Sequence, residues 1–392
     1  MRTMLISLVI FLSVGGVFFS SCNQGKSFQK DHPDFNFSIR EILDQNQKEL
    51  ALSDFGQSIR YVTLESQPGF LLNFIYKVQK YQEDIFVSDR ERVYQFDANG
   101  NFVREIGKVG KGPGEHTGRI RFGVNPYRGK LFIYSFPTKL INVYQALTGE
   151  FLYSFSFDYF VSDFYFNENN QILFFTEEGS MDDLNFSVNE AYLIDNDNKV
   201  SIDSIFNPLR AEKRSQIVGH VLLYQNQNDA YYTFNYGDTL FRLDQNFIRK
   251  PFAVFNLENK ISHLVLKLDF SFSGIQFSDF LYFDHVVGNS NFFFLSIGKG
   301  FAVGVERDIS NIFCQKNEGK CWPTTKARND LDGGMPFWPR WVINGKLINY
   351  YHPHEIIDYY NKTKGEVTHG SDFVRLVNSL LETDNPVLAI VE

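Results

Sequence analysis

One motif restricts the fold of this chain more than any other: a short antiparallel meander that keeps returning. Between Ile59 and Tyr360, apolar and polar residues alternate with a period of two, as they do in half-buried strands. Residues 84–107, DIFVSDRERVYQFDANGNFVREIG, show the unit. A strand, IFVS, ends in the polar turn DRE, and a second strand, RVYQFD, ends in ANG, where Asn99-Gly100 suits positive φ. A third strand, NFVREIG, completes a meander. Similar units start at Asp84, Lys130, Gln171, Asp229, Asn291 and Gly345, at spacings of 46, 41, 58, 62 and 54 residues. A further apolar strand precedes most copies: FIYKVQKY, RIRFGVNP, HVLLYQNQ and PFWPRWVI. Four strands per unit at this spacing are the signature of propeller blades. Aromatic residues form 17% of the chain, with 42 Phe and 20 Tyr, which suits broad pleated surfaces.

The expected fold is therefore all-β: a six-bladed β-propeller of four-stranded antiparallel blades over residues 58–365. SIRYVTLE, residues 58–65, is expected to pair into the last blade and close the ring. Residues 366–392 read as a short C-terminal helix and strand packed on the propeller. Phe373, Val374, Leu376, Val377, Leu380 and Leu381 recur at helical spacing after Ser371 or Asp372, and VLAIV follows Pro386.

The N-terminus supplies an address. MRTMLISLVIFLSVGGVFFSSC sets Arg2 before an apolar run from Met4 to Phe19, then Ser20, Ser21 and Cys22. Residues 1–21 have the layout of a secretory signal peptide. As a membrane anchor the run is short. Its FSSC ending resembles a bacterial lipobox, which implies cleavage before Cys22 and lipidation of that sulfur. Residues 22–57 begin with polar NQGKSFQKDHPDFN and read as a tether. The two remaining cysteines, Cys314 and Cys321, flank a turn in CQKNEGKC. Strands leaving that turn could oppose the sulfurs, and an oxidising periplasm permits a disulfide. Two free thiols is the other reading, because Cα spacing is not legible in sequence.

The stretch IFVSDRERVYQFDANGNFVREIGKVGKGPGEH resembles an NHL repeat. More widely, YVTLES, GKGPGEH, DTLFRLD, DGGMPFWPRWV and DNPVLAIV make the chain similar to the six-bladed β-propeller lipoproteins of anaerobic gut bacteria. The resemblance covers the mature chain and implies a fold and an envelope address; it implies no defined activity. In such bacteria, acidic residues directly after the lipidated cysteine resemble a surface-export signal, and NQGKS lacks them. The expected location is the outer membrane, through a lipid anchor, with the periplasmic face favoured over the surface.

Chemistry is written less plainly. The net charge of −8 argues against a nucleic-acid partner, which requires clustered cations. GKVGKGPGEH lacks the spacing and the Ser or Thr of a phosphate loop, and no helix follows it, so it reads as the joint between two blades. In a four-stranded meander, the turn between strands two and three shares a rim with the crossing to the next blade. SDRER, SFPTK, TEEG, NYGD, SIGKG and YHPHE are such turns, and LDGGMP joins them. From Arg104 to Lys130 there are seven basic residues and two acidic ones, which points to an anionic ligand or acidic partner; a solvated, aggregation-resistant edge is the plainer alternative. His352 and His354, two apart, would share one face of a strand as a metal pair, or are simply turn residues. Arg340 in FWPRW could grip a carboxylate or stack on a sugar; the plainer reading is a Trp core with the arginine satisfying channel carbonyls. For a calcium or zinc ion on the axis, Asp89, Glu177, Asp238, Asp332 and Glu355 are candidates, with no spacing that demands it.

The candidate ligand-binding residues are thus Arg90, Lys111, Arg121, Asp332, Arg340, His352 and His354. They describe a monomeric, non-catalytic module that binds a small anionic or carbohydrate ligand, or an envelope protein, at one rim. The alternative is an NHL-like lactonase, lyase or hydrolase with a metal on the axis. No cofactor and no catalytic signature are indicated.

Overall fold

Alternation in the sequence becomes a ring of six antiparallel blades. The computed structural model describes residues 32–392 apart from 68–69, 180, 196–199, 212–217, 227–228, 259–279, 301–307 and 364–370. The signal peptide, Cys22 and the start of the tether lie outside the described residues. The innermost strands of blades one to six are Lys77–Tyr81, Ile120–Asn125, Val161–Phe166, Val221–Asn226, Leu281–Gly288 and Trp341–Ile343. The second strands are Asp84–Ser88, Lys130–Ser135, Gln171–Thr176, Asp229–Phe234, Phe292–Lys299 and Lys346–Tyr351, each within one residue of a repeat start read from the sequence.

The second strands are buried on both faces because each blade lies between two others. In blade two, Leu131, Phe132, Ile133 and Tyr134 are fully buried. Phe132 and Tyr134 pack with Phe164, Phe166 and Phe174 of blade three, while Leu131 and Ile133 pack with Phe86, Val93 and Ile106 of blade one. Alternate side chains of one strand thus serve two interfaces, and each such burial stabilises by about 1.5–3 kcal/mol. Large rings fill the widening gap between blades, which accounts for the aromatic bias.

The ring closes as expected at one end and differently at the other. Ile59–Thr63 forms the outer strand of blade six, where it pairs antiparallel with Val387–Val391. That C-terminal strand is the third strand of blade six, hydrogen-bonded to Lys346–Tyr351 on its other side. The propeller therefore runs to Val391 and does not end at residue 365. Between the second and third strands of blade six come the helices Pro353–Thr363 and Asp372–Ser379, the latter capped by the Ser371 hydroxyl, which accepts from Val374 N–H. YHPHE is thus no β-turn. His352 precedes a helix and its backbone N–H donates to Glu355 at 2.9 Å, a capping arrangement that places His354 in the first helical turn.

The tether is also shorter than residues 22–57. Phe35–Ser38 adds a parallel fifth strand to the outer edge of blade four, and Phe37 stacks on Phe255 at 5.4 Å. Helix Ile39–Leu43 follows, capped by Ser38. Lys48 and Ala51 then bridge Thr324 and Arg328 along the edge of blade five before the chain reaches blade six. Cys314 and Cys321 face each other across the third and fourth strands of blade five and are joined as a disulfide.

Candidate functional site

The innermost strands of all six blades enclose an axial cavity of about 1690 Å³. Each inner strand begins beside the end of its blade's second strand, as the pairings Lys77↔Ser88, Ile120↔Ser135 and Val161↔Thr176 show. The turns between strands two and three therefore ring one mouth of this cavity.

Three arginines converge at that mouth. Arg90 sits in the first 2–3 turn with φ of 84°, a conformation uncommon outside glycine. Asp89 makes the turn by accepting from the N–H groups of Glu91 and Arg92 at 2.9 and 2.8 Å. The Arg90 carbonyl accepts from Ile120 N–H at 2.7 Å, which fixes the turn to the start of blade two. Its guanidinium lies 4.6 Å from the Tyr76 ring. Arg121, buried, lies 4.9 Å from the same ring. Arg119, half exposed, lies 4.0 Å from Phe136. The rings hold the guanidiniums flat and leave N–H edges for acceptors.

Behind them stands Glu177, buried at the end of the second strand of blade three. Arg121 donates to its Oε1 at 2.9 Å and also to Ser162 O at 3.1 Å. Arg119 reaches Glu177 at 3.4 Å, and the Nδ1 of His220 lies 3.7 Å from the same carboxylate. Burial pushes the Glu177 carboxyl up, but His220, Arg121 and Arg119 outweigh it and hold the group below its ordinary value. Glu177 is thus shared by two guanidiniums, Arg119 and Arg121, and among the described residues Arg90 has no carboxylate partner. Deeper in the cavity, Lys77 of blade one donates to Asp163 of blade three and, at 3.1 Å, to Phe122 O. A bulge between Val161 and Asp163 accompanies this arrangement.

On the blade-six side of the cavity, the Arg340 guanidinium lies 5.1 Å from the Tyr350 ring. His352 also lines the cavity, and burial, with the charges of His354 and Arg340, holds its imidazole below the ordinary value against the pull of Glu355. His285, from the inner strand of blade five, is pushed down to about 4 by burial and the Arg340 charge. Trp338 is buried and donates to Ser296 Oγ at 3.0 Å, so it serves the core.

The remaining sequence candidates lie elsewhere. Lys111 is exposed on the joint between blades one and two. There Gly107, Gly114 and Gly118 have positive φ, Glu115 accepts from Gly112 N–H at 2.7 Å, and Tyr144 donates to Gly114 O at 2.6 Å. This is a tied connection with strand after it. Asp332 is buried beneath blade six, where Asn329, Gly334 and Tyr61 donate to it at 2.7, 3.0 and 3.3 Å. Burial still leaves its carboxyl above the ordinary value. His354 stacks on His352 at 5.4 Å from an exposed helical position. The basic run from Arg104 to Lys130 is split: Lys130 pairs with Asn125 at the far end of blade two, away from the arginine mouth. Among the described residues, no three His, Cys, Asp or Glu side chains gather as metal ligands.

Arg119, one of the seven basic residues between Arg104 and Lys130, joins Arg121 at the mouth, from which it stands two residues away in sequence. Tyr76, His220 and His285 carried no sequence signal, because their neighbours come from other blades.

Comparison with known proteins bears on the fold. A family described as a domain of unknown function, DUF4934, matches residues 35–392. No curated protein matches. Among solved structures, a "putative exported protein" of Bacteroides fragilis is similar over 91% of this chain and 99% of its own, with a TM-score of 0.69 and 15% identity. A member of the DUF4221 family from Bacteroides vulgatus aligns over 71% of this chain and 86% of its own, with a TM-score of 0.45 and 11% identity. At such identities the first likeness speaks for the fold alone, and the second carries no argument.

Proposed function

The chain belongs to the DUF4934 family, and on that premise we propose that it is a non-catalytic binding propeller that holds an anionic ligand at the arginine mouth of its axial cavity. The observation that carries this reading is the imbalance there. Arg90, Arg119 and Arg121 come from two adjacent blades and lie against Tyr76 and Phe136, and among the described residues their one carboxylate partner is Glu177, shared by Arg119 and Arg121. Charge-assisted hydrogen bonds to an acceptor are strong where the donors are held in place beforehand. The ring supplies that rigidity, since each arginine sits on or beside a strand packed between two blades.

The proposal extends to the address: export directed by residues 1–21 and a lipid anchor on Cys22 at the outer membrane, on the N-terminal pattern of the sequence. The exported description of the B. fragilis protein supports export.

Isothermal titration of the full chain with citrate, a compact polycarboxylate, tests the site. Arg90→Ala and Arg119→Ala remove exposed cations and should each weaken citrate binding about tenfold or more. Citrate affinity unchanged by both would remove the mouth from consideration. The metal-dependent enzyme reading is tested by elemental analysis, where one bound calcium or zinc per chain would favour it.

A further inference from the structure

The rest of the cavity narrows the class of ligand. Blade six adjoins blade one through their inner strands, so Arg340 and Arg90 flank one boundary of the ring from opposite sides. Arg340 repeats the arrangement of the first cluster: a guanidinium beside an aromatic ring, here Tyr350, lining the same cavity. The cavity thus carries two cationic poles, one on blades one and two and one on blade six. A compact anion satisfies one pole and leaves the other in water.

Away from the poles the wall is mixed: apolar side chains and the carboxylates of Asp163, Asp284 and Glu355 stand beside neutral polar groups. Ser162, Asn235 and Asn349 line it with neutral hydrogen-bonding groups. The Oδ1 of Asn349 is buried without a protein partner among the described residues. Such groups suit hydroxyls, which donate and accept at once. The cavity's 1690 Å³ also exceeds the roughly 300–1,000 Å³ of a site for one drug-sized molecule. An extended ligand, rich in hydroxyls and bearing anionic groups at intervals, meets all three conditions. A peptide of acidic residues meets the charge condition, but its backbone offers one donor and one acceptor per residue where a sugar ring offers several hydroxyls that do both.

We infer that the ligand is an acidic oligosaccharide, with one carboxylate on the Arg90, Arg119 and Arg121 pole and another on Arg340. This rests on the arginine-mouth reading above and adds a class of ligand to it. Neutral groups of the wall, Asn349 foremost, take the sugar hydroxyls. The aromatic rings keep the guanidiniums in place and are largely covered by them, so recognition depends on charge and hydrogen bonds more than on ring stacking.

Titration of the full chain with uronate trimers tests this: galacturonate, guluronate and glucuronate, beside a neutral galactose trimer, triglutamate and citrate. At least one uronate trimer should bind about tenfold or more tightly than citrate and triglutamate, and the neutral trimer should give no heat. Arg340→Gln, at an exposed position, should weaken the uronate trimer about tenfold and leave citrate within about twofold, whereas Arg119→Gln should weaken both. Triglutamate or the neutral trimer matching the best uronate, or Arg340→Gln without effect on it, would overturn the inference. Citrate binding that depends on Arg119, with no uronate binding more tightly, would sink the oligosaccharide and leave the arginine mouth standing. No binding of any anion would sink both.

Discussion

Glu177→Gln removes a charge and almost no volume at the most buried point of the site. Glu177 is 1% exposed and Arg121 is 5% exposed, joined at 2.9 Å. The substitution leaves Arg121 buried without its counter-ion. Breaking one side of a buried pair costs about 3–5 kcal/mol. Arg121 keeps its 3.1 Å bond to Ser162 O, and glutamine still offers an acceptor, so the lower end, about 3 kcal/mol, is expected. In urea the midpoint should fall at constant slope. A ring of this size has a large unfolding entropy, so the same loss lowers Tm by only roughly 4 °C. Acid adds a second readout. The Glu177 carboxyl titrates below its ordinary 4.5 in the folded protein, so its stabilisation is whole above 4.5 and disappears as pH falls through the folded value. Wild type and variant should therefore differ near neutrality and converge in acid. The double substitution Arg121→Met with Glu177→Leu should recover much of the loss, because the uncompensated charge is gone. A Gln variant within about 1 kcal/mol of wild type at neutral pH, with an unaltered acid limb, would refute a buried charged pair here.

Two further outcomes follow from the frame around the site. Gly100 has φ of +90°, and a Cβ there would lie 2.0 Å from the Thr63 carbonyl of blade six, whereas Gly345, at φ of +79°, has nothing within 4 Å. Gly100→Ala should cost clearly more than the roughly 1–3 kcal/mol of backbone strain alone, and Gly345→Ala should stay within that range, both read from urea midpoints. Equal costs would mean that the blade-one turn yields. Reduction of the Cys314–Cys321 disulfide, whose cysteines are seven residues apart, should lower stability by about 2 kcal/mol through the freedom restored to the unfolded chain. Denatured protein should show those two thiols only after reductant.

The repeat period made the ring legible, because the side-chain period of a strand is local and each blade restates it. Asp84, Lys130, Gln171 and Asp229 begin second strands where the meander pattern put them. The sixth blade was harder to read, because its third strand, Val387–Val391, follows two helices and is separated from its partner Lys346–Tyr351 by a long insertion. His352 and His354 misled for a related reason: Pro353 between them starts a helix, so a spacing of two no longer means a shared face. Arg90, Arg121 and Arg340 were recoverable as cations near inner strands. Their relation to Glu177 and Tyr76 was not, because it depends on how far each blade turns from the last.

The N-terminal residues add an overlap to the ring. Phe35–Ser38 lies on blade four, Lys48 and Ala51 on blade five, and Ile59–Thr63 on blade six, all before the chain enters blade one. The polypeptide therefore winds about the axis for a lap and a half, like a hoop whose ends lap past each other. The doubly wrapped arc is blades four to six, and the two ends of the hoop are fastened where Ile59–Thr63 pairs with Val387–Val391 in blade six. The single-thickness arc is blades one to three, and there buried ion pairs, Lys77 to Asp163 and Arg121 to Glu177, supplement the apolar interfaces between blades. Acid should loosen that arc first, and amide exchange at low pH should show the lapped half still closed.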